Sequence, residues 1–329
     1  MSEPRYKRKR SLQESSVDIS KMRVALDRVK ALKQELEGIE ETENEMEQVM
    51  KHIAALEDIL STSKKSVCLF ICIQPYLTNL GILSGLLLFV DNELFGRVAT
   101  LSTSAINEID LLKTRILEID EYVNMELEAG ARMVLDALLL SLAKLSCSDA
   151  PHVRVAILPE MQLDSVDGIT IKNPHMDYEV SLSGRVDYAI LRYADRREYT
   201  RLFLHTPSSL DFIQFNKGQI FLVEAKCNQF QLMDYIPEAV AQALALATAA
   251  KYTETRFCLA NGLAWMFLLL KKENERWVYY ASSPWEIKRA RFDSSDGNLR
   301  AIMWLVSEWL NPTTGEGLYE LVKYEHTEL

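Results

Sequence analysis

The sequence has little glycine, proline or cysteine for its 329 residues, with 12, 9 and 5 respectively. So few glycines and prolines exclude collagen-like and low-complexity chains. The cysteines, which are odd in number and lack paired spacings, are Cys68, Cys72, Cys147, Cys227 and Cys258. This pattern predicts reduced thiols inside a cell, and it argues against a disulfide framework or a cysteine-based zinc site.

Positive charge is also in short supply, with 37 Lys+Arg against 47 Asp+Glu and a formal net charge of −10. Non-specific wrapping of nucleic acid depends on many Lys and Arg contacts to phosphate, so this mode of binding is not expected. The balance leaves room for a local basic groove around one site. Hydrophobic residues make up 48% of the chain, which is enough for a sizeable core, and the length suggests about two domains.

The first ten residues lack the apolar core of a secretory signal. The basic run from Arg5 to Arg10 is compatible with a nuclear address, and equally with a solvated tail. We therefore predict a basic disordered tail over residues 1–16 and an intracellular protein, nuclear or cytoplasmic.

Residues 17–60 predict helices that associate with one another. They contain no proline and one glycine, and apolar side chains recur every seven positions. One series consists of Ala25, Leu32, Ile39, Met46, Ile53 and Leu60. A second series consists of Met22, Val29, Leu36 and Met50, and is broken by Glu43 and Glu57. The repeat indicates a coiled coil or a long antiparallel hairpin, so a homodimer and an intramolecular hairpin both stay open. We assign residues 17–120 to this helical region.

Residues 66–90 form an apolar segment within that region, without a single charged side chain. It is long enough to cross a membrane, and Gly81 and Gly85 have the spacing that lets two membrane helices approach closely. Gln74 and Pro75 argue against a span, because polar groups and a lost backbone donor are costly in lipid. Three interpretations stay open: a membrane span, which is not favoured, a buried helical hairpin turning at Gln74-Pro75, and translated intron sequence.

The pattern changes along the second half of the chain. Helical periodicity runs from about Asn92 to Leu145, and beyond Ala150 the period shifts towards two, as expected of strands. The predicted strands are Val153–Leu158, Ser181–Tyr193, Gln219–Cys227, Gly262–Leu270 and Arg276–Ala281. A predicted helix, Asp234–Lys251, lies between the third and fourth of these strands, and a final predicted helix, Asn298–Leu310, follows the last. This order predicts an α/β fold.

Two of the predicted strands carry acidic residues within apolar runs. Because side chains alternate along a strand, Glu224 and Lys226 project from the same face, and Asp187 interrupts the earlier strand in the same way. If the two strands are neighbours, Asp187 and Glu224 can share Mg²⁺ or Mn²⁺, which prefer oxygen ligands. Lys226 would orient or deprotonate a water, or neutralise charge developing on phosphate in the transition state.

Asp187 followed by Glu224-Ala225-Lys226 resembles the signature of the PD-(D/E)XK nuclease superfamily, with Val186 standing where that family has proline. The resemblance covers about residues 121–310 and is strongest to uncharacterised fungal proteins of this type. It implies a restriction-endonuclease-like core, a central mixed sheet flanked by helices, over residues 121–329. It also implies a metal on Asp187 and Glu224, with Lys226 assisting hydrolysis.

Two further residues enter through the resemblance. The family often adds a glutamate from the first core helix, for which Glu126 and Glu128 are candidates. Glu128 is preferred because it shares the apolar helix face of Ala131 and Leu135, which must meet the sheet. A glutamine or tyrosine commonly lies near the site on the helix after the Glu-Ala-Lys strand, and Gln242 is the matching residue.

The resemblance implies magnesium-dependent phosphodiester hydrolysis of nucleic acid, with DNA and RNA both open. The alternative is a catalytically inactive nuclease-like module that binds nucleic acid or protein and acts through the coiled coil. A basic cluster follows the Asp187 strand and consists of Arg192, Arg196, Arg197 and Arg201. These side chains are expected either to touch phosphates or to form an ordinary solvated turn.

Overall fold

The structure is a computed structural model of the chain. It describes residues 51, 53, 65–68, 74–150, 152–163, 169–173, 179–205, 220–227, 231–288, 292, 296–312 and 317–324. The chain divides into two compact units, residues 1–67 and 68–329. The predicted basic tail lies outside the described residues. Both heptad series also lie outside them, Ile53 apart, so the coiled coil and the homodimer stay predictions.

Seven helices and twelve strands are formed by the described residues. The helices are α1 (Gln74–Asn79), α2 (Asp91–Val98), α3 (Thr103–Tyr122), α4 (Glu128–Asp149), α5 (Arg197–His205), α6 (Ile236–Ala250) and α7 (Gly297–Leu310). The strands are β1 (Lys65–Cys68), β2 (Leu83–Phe89), β3 (Val153–Gln162), β4 (Ile169–Lys172), β5 (Glu179–Ser183), β6 (Arg185–Ala194), β7 (Ile220–Ala225), β8 (Glu254–Ala260), β9 (Ala264–Glu273), β10 (Arg276–Ala281), β11 (Trp285–Glu286) and β12 (Tyr319–Lys323). A 3₁₀ helix, Leu232–Tyr235, precedes α6.

One large mixed sheet organises the second unit. Its strand order is β12-β2-β10-β9-β8-β7-β6-β3, and β11 adds to β9. The pairs β2–β10 and β7–β8 are parallel, and the other pairs along this order are antiparallel. Strands β4 and β5 pair with each other outside it. The α/β class predicted from the sequence is confirmed, whereas the predicted strand Ser181–Tyr193 is split at Gly184 into β5 and β6.

Helices α3, α4 and α7 cover one face of this sheet. The apolar residues of β6 and β7 on that face, Tyr188, Ile190, Phe221 and Val223, belong to the same buried cluster as residues of these helices. Complete burial of a side chain such as Phe221 stabilises the fold by roughly 1.5–3 kcal/mol. The alternating pattern that predicted the strands therefore reflects a real two-sided sheet.

Helix α6 packs on the opposite face. It has Pro237 in its first turn, where the missing N–H costs no helical hydrogen bond, and its sequence is otherwise rich in alanine and leucine. Every residue from Ile236 to Ala247 is buried. The small alanine side chains let this helix lie close against the strands, so a polar residue on α6 reaches the sheet directly.

Within the apolar segment 66–90, the described residues from 74 onward form the short helix α1 (Gln74–Asn79) and the strand β2 (Leu83–Phe89). Its C-terminal part is β2, which pairs with β10 on one side and β12 on the other. Both the membrane helix and the buried helical hairpin turning at Gln74-Pro75 are therefore wrong, and the pairing also argues against a foreign insertion. Among the described helices, none is long and apolar enough to cross a membrane.

The two glycines of this segment have separate roles that do not involve helix packing. Gly81 has a φ of 71°, a left-handed conformation that suits the turn before β2. At Gly85, an added Cβ would lie 2.6 Å from the carbonyl oxygen of Val322 and 2.7 Å from the ring of Tyr280. The spacing that suggested a membrane motif thus arises from a turn and from a crowded strand.

The predicted boundary at residue 121 falls inside the second unit, which begins at Cys68. Ile109, Leu112 and Ile116 on α3 are fully buried in the same core as α4 and the sheet. Their burial explains why the compact unit begins before the predicted boundary, because the helical residues before position 121 complete the core of the predicted catalytic domain.

Candidate active site

The two acid-bearing strands are neighbours, which is the condition that a shared cation requires. Tyr188 on β6 pairs with Val223 on β7 in antiparallel register, and extending this register by one residue sets Asp187 opposite Glu224. Directly opposed residues project from the same face of a sheet. Asp187 is 6% exposed and Glu224 is 1% exposed, so two carboxylates are buried side by side at the end of the strand pair.

Both oxygens of Asp187 accept hydrogen bonds. The backbone N–H of Ala225 donates to Oδ2 at 2.7 Å, and the guanidinium of Arg132 on α4 donates to Oδ1. Burial, reinforced by the nearby charge of Glu224, raises the pKa of Asp187 to about 7. The Ala225 N–H and the Arg132 charge oppose this shift and fall short of cancelling it. The carboxylate is therefore held in position but remains costly to ionise.

Glu224 is held on both sides by predicted site residues. Lys226 Nζ donates to its Oε1 at 2.7 Å, and Gln242 Nε2 on α6 donates to its Oε2 at 2.7 Å. Burial raises the pKa of Glu224, while the Lys226 charge works in the other direction. The expectation that Gln242 lies near the site is met by direct contact with Glu224.

Lys226 lies between two carboxylates. Besides Glu224, its Nζ lies 2.9 Å from Oε2 of Glu238, and it lies 4.8 Å from the centre of the Tyr235 ring. Burial alone would lower the pKa of Lys226, yet the charges and hydrogen bonds of Glu224 and Glu238 raise it overall. The ammonium group is thus retained as a fixed cation beside Glu224.

Glu238 is a site residue that the sequence analysis missed. It lies one helical turn before Gln242 on α6, and its side chain is 6% exposed. Its Oε1 is buried and has no hydrogen-bond partner among the residues that the structure describes. The available signal was the spacing of four residues, which places positions 238 and 242 on the same helix face.

Glu128 reaches this cluster through Arg132. It is the first residue of α4, its side chain is 47% exposed, and its Oε1 lies 3.0 Å from Arg132 Nη2. The apolar helix face used to choose it is buried as predicted, since Ala131 and Leu135 are fully buried. Glu126 is exposed, and its backbone N–H donates to Asn124. Glu128 is therefore close to the site as an ion-pair partner of Arg132.

The charges of this strand cluster do not balance. Its five carboxylates belong to Glu128, Glu160, Asp187, Glu224 and Glu238, and its three cations to Arg132, Arg185 and Lys226, so the formal sum is 3 − 5 = −2. Within the described residues, no three His, Cys, Asp or Glu side chains are arranged to hold a metal ion. Mg²⁺ is usually bound by one or two carboxylates, with waters and substrate phosphates completing its shell. Two buried carboxylates with an excess of negative charge fit that donor set.

The basic cluster of the sequence analysis lies elsewhere. Arg192 is near the end of β6, and Arg197 and Arg201 are on α5 beyond it, whereas Asp187 is near the start of β6. At about 3.3 Å per residue, Arg192 is roughly 15 Å from Asp187 along the strand. Phe203 on α5 packs against Tyr193, at the same end of β6 as Arg192. Asp195 in the same turn pairs with Arg154 at 2.9 Å. The arginines therefore do not share a phosphate with the strand carboxylates.

The chain matches no known family model, and no curated protein matches it.

Proposed function

We propose that the chain is a metal-dependent phosphodiesterase that cleaves nucleic acid with a PD-(D/E)XK-like domain of restriction-endonuclease-like architecture. One observation carries the proposal: Asp187 and Glu224 are buried side by side on neighbouring strands, with Lys226 hydrogen-bonded to Glu224. The mixed sheet between helices supports it, because rigid strands fix two oxygen donors in the way that Mg²⁺ or Mn²⁺ requires.

The residues around the two carboxylates each have a definite part in this mechanism. Bound Mg²⁺ would supply Lewis acidity to a phosphodiester oxygen and lower the pKa of an attacking water. Asp187 and Glu224 would hold the ion, with the Ala225 N–H and Gln242 fixing their orientations. Lys226, held as a cation between Glu224 and Glu238, neutralises negative charge that develops on the phosphate oxygens. The geometry favours this role for Lys226 over proton abstraction, because two carboxylates retain its proton.

A second candidate function is a catalytically inactive module of the same fold that binds nucleic acid or protein. The observation favouring it is that all four oxygens of Asp187 and Glu224 already accept hydrogen bonds within the protein. A carboxylate oxygen has two lone pairs, so each oxygen keeps capacity for one more partner. The excess of negative charge favours the enzyme over the inactive module.

Cleavage by the purified full-length chain separates the two functions. We expect Mg²⁺-dependent cleavage of at least one of three substrates: single-stranded DNA, double-stranded DNA or RNA. Asp187→Ala and Lys226→Ala are each expected to reduce the rate by about 100-fold or more, the usual scale for electrostatic catalytic groups. Glu108→Gln, on α3, is the matched control and retains full activity. Binding of the substrates without cleavage, or equal cleavage by all variants, would contradict the proposal.

A further inference from the structure

Arg132 is the cation nearest to the proposed metal ligand Asp187. It lies in the second turn of α4, its side chain is 27% exposed, and its guanidinium contacts Asp187, Glu128 and Glu160. The distances to Glu160 and Glu128 are 2.9 and 3.0 Å. Its Nε is buried without a hydrogen-bond partner among the described residues. One guanidinium is therefore shared by three carboxylates from three elements of the chain.

A divalent cation at the proposed site and this guanidinium would both bind to the carboxylate of Asp187. Both are positively charged, and both are satisfied by oxygen donors. Lys226 contacts the other proposed ligand, Glu224, together with Glu238, and makes no hydrogen bond to Asp187 among the described contacts. A cation placed between Asp187 and Glu224 is consequently repelled by a neighbour bound to Oδ1 of Asp187.

Arg132 keeps two other ion-pair partners if its guanidinium leaves Asp187. Glu128 and Glu160 are about half exposed, with side-chain exposures of 47% and 54%. Both lie on the solvent side of the guanidinium, whereas Asp187 is buried. A small rotation of the long side chain therefore exchanges one buried carboxylate for two that are already in contact.

We propose that Arg132 competes with the divalent cation for Asp187, so that the ion binds only when the guanidinium moves to Glu128 and Glu160. Arg132 is then a positioning residue that sets the metal affinity of the site. This inference rests on the proposed function, because it takes Asp187 and Glu224 as the metal ligands.

Titration calorimetry of the metal-free, full-length protein with Mn²⁺ tests the competition. Arg132→Met keeps the length and apolar stem of the side chain and removes its charge. We expect it to bind Mn²⁺ at least 10-fold more tightly than the wild type. Arg185→Met is the matched control, since its described ion pair is with Glu160 alone, at 3.6 Å. It removes the same charge without freeing Asp187, and a change of less than 3-fold is expected.

The outcomes distinguish this inference from the function on which it rests. If Arg132→Met binds Mn²⁺ no more tightly than the wild type, while Asp187→Asn abolishes binding, the competition is wrong and the metal site stands. If neither wild type nor Arg132→Met binds Mn²⁺, both proposals fail. An equal gain in Arg185→Met would also overturn the competition, because the effect would then be one of net charge. Arg132→Gln replaces Arg132→Met, with the same expectations, if circular dichroism shows that the latter is unfolded.

Discussion

Two clusters of charged side chains in this protein differ in what they do to the fold. The strand cluster joins β3, β6, β7, α4 and α6. The second, the helix cluster, joins α3 and α4 and consists of Glu108, Arg115, Ser141 and Lys144. In the helix cluster, Oε1 of Glu108 accepts from Ser141 at 2.8 Å, from Lys144 at 3.3 Å and from Arg115 at 3.4 Å. One carboxylate thus has two cations, and each cation is more than a third exposed.

The strand cluster has the opposite balance and is more deeply buried. It carries two more carboxylates than cations, and burial together with Glu224 raises the pKa of Asp187 to about 7. An ordinary ion-pair network joins helices at little cost, whereas buried like charges cost stability. Buried clusters of like charge are typical of functional sites, because groups with perturbed pKa values concentrate there. The difference in burial and charge balance therefore supports the proposal that the strand cluster is a functional site.

The largest difference in stability between the two clusters is expected when the lysine of each cluster is removed. Lys226→Met leaves Glu224 and Glu238 buried without their shared cation, so the free energy of unfolding should fall by about 3–5 kcal/mol. Lys144→Met removes a cation that is 54% exposed, and a change below about 0.5 kcal/mol is expected. Urea denaturation at pH 8, with a chelator present to remove metal ions, measures the free energy of unfolding of both variants. Similar losses in the two variants would erase the distinction between the clusters.

Removing a carboxylate charge should raise the stability of the protein in the strand cluster and lower it in the helix cluster. At pH 8 without metal, Asp187→Asn relieves a buried, repelled carboxylate and should stabilise the protein by about 1–3 kcal/mol. Glu108→Gln weakens three hydrogen bonds and should destabilise it by about 1 kcal/mol. Thermal or urea unfolding of the two single variants measures both signs. Destabilisation by Asp187→Asn at pH 8 would mean that Arg132 and the Ala225 N–H outweigh burial.

The stabilisation by Asp187→Asn should also depend on pH. The pKa of Asp187 is raised from 3.8 to about 7, so the folded chain binds this proton more tightly than the unfolded chain. The contribution of Asp187 to stability therefore falls as pH rises from about 4 to about 7. The advantage of the asparagine variant should accordingly shrink between pH 8 and pH 5.

Strand alternation made the central residues of the site predictable from the sequence. Asp187, Glu224 and Lys226 interrupt apolar runs, and an acidic side chain within such a run has few explanations other than a site or a buried ion pair. Glu238 was also within reach, because it shares a helix face with Gln242. Arg132 was not, since its contact with Asp187 joins positions 55 residues apart. Only the packing of α4 against β6 brings them together.

The sequence was least informative about β2, in which Leu87 is buried and the neighbouring Leu88 is 43% exposed. β2 lies between β10 and β12, and its apolar run has no alternation to distinguish it from a helix. It was therefore interpreted as a membrane span, a buried helical hairpin or translated intron sequence. β8 was missed altogether, although it is the parallel partner of β7 beside the site.

Anomalous diffraction from crystals soaked in Mn²⁺ tests the shared metal site most directly. We expect one strong peak within coordination distance of both the Asp187 and Glu224 carboxylates, accompanied by movement of the Arg132 guanidinium away from Asp187. Well-diffracting crystals with no peak at this position, or with a peak bound by only one of the two carboxylates, would contradict the account.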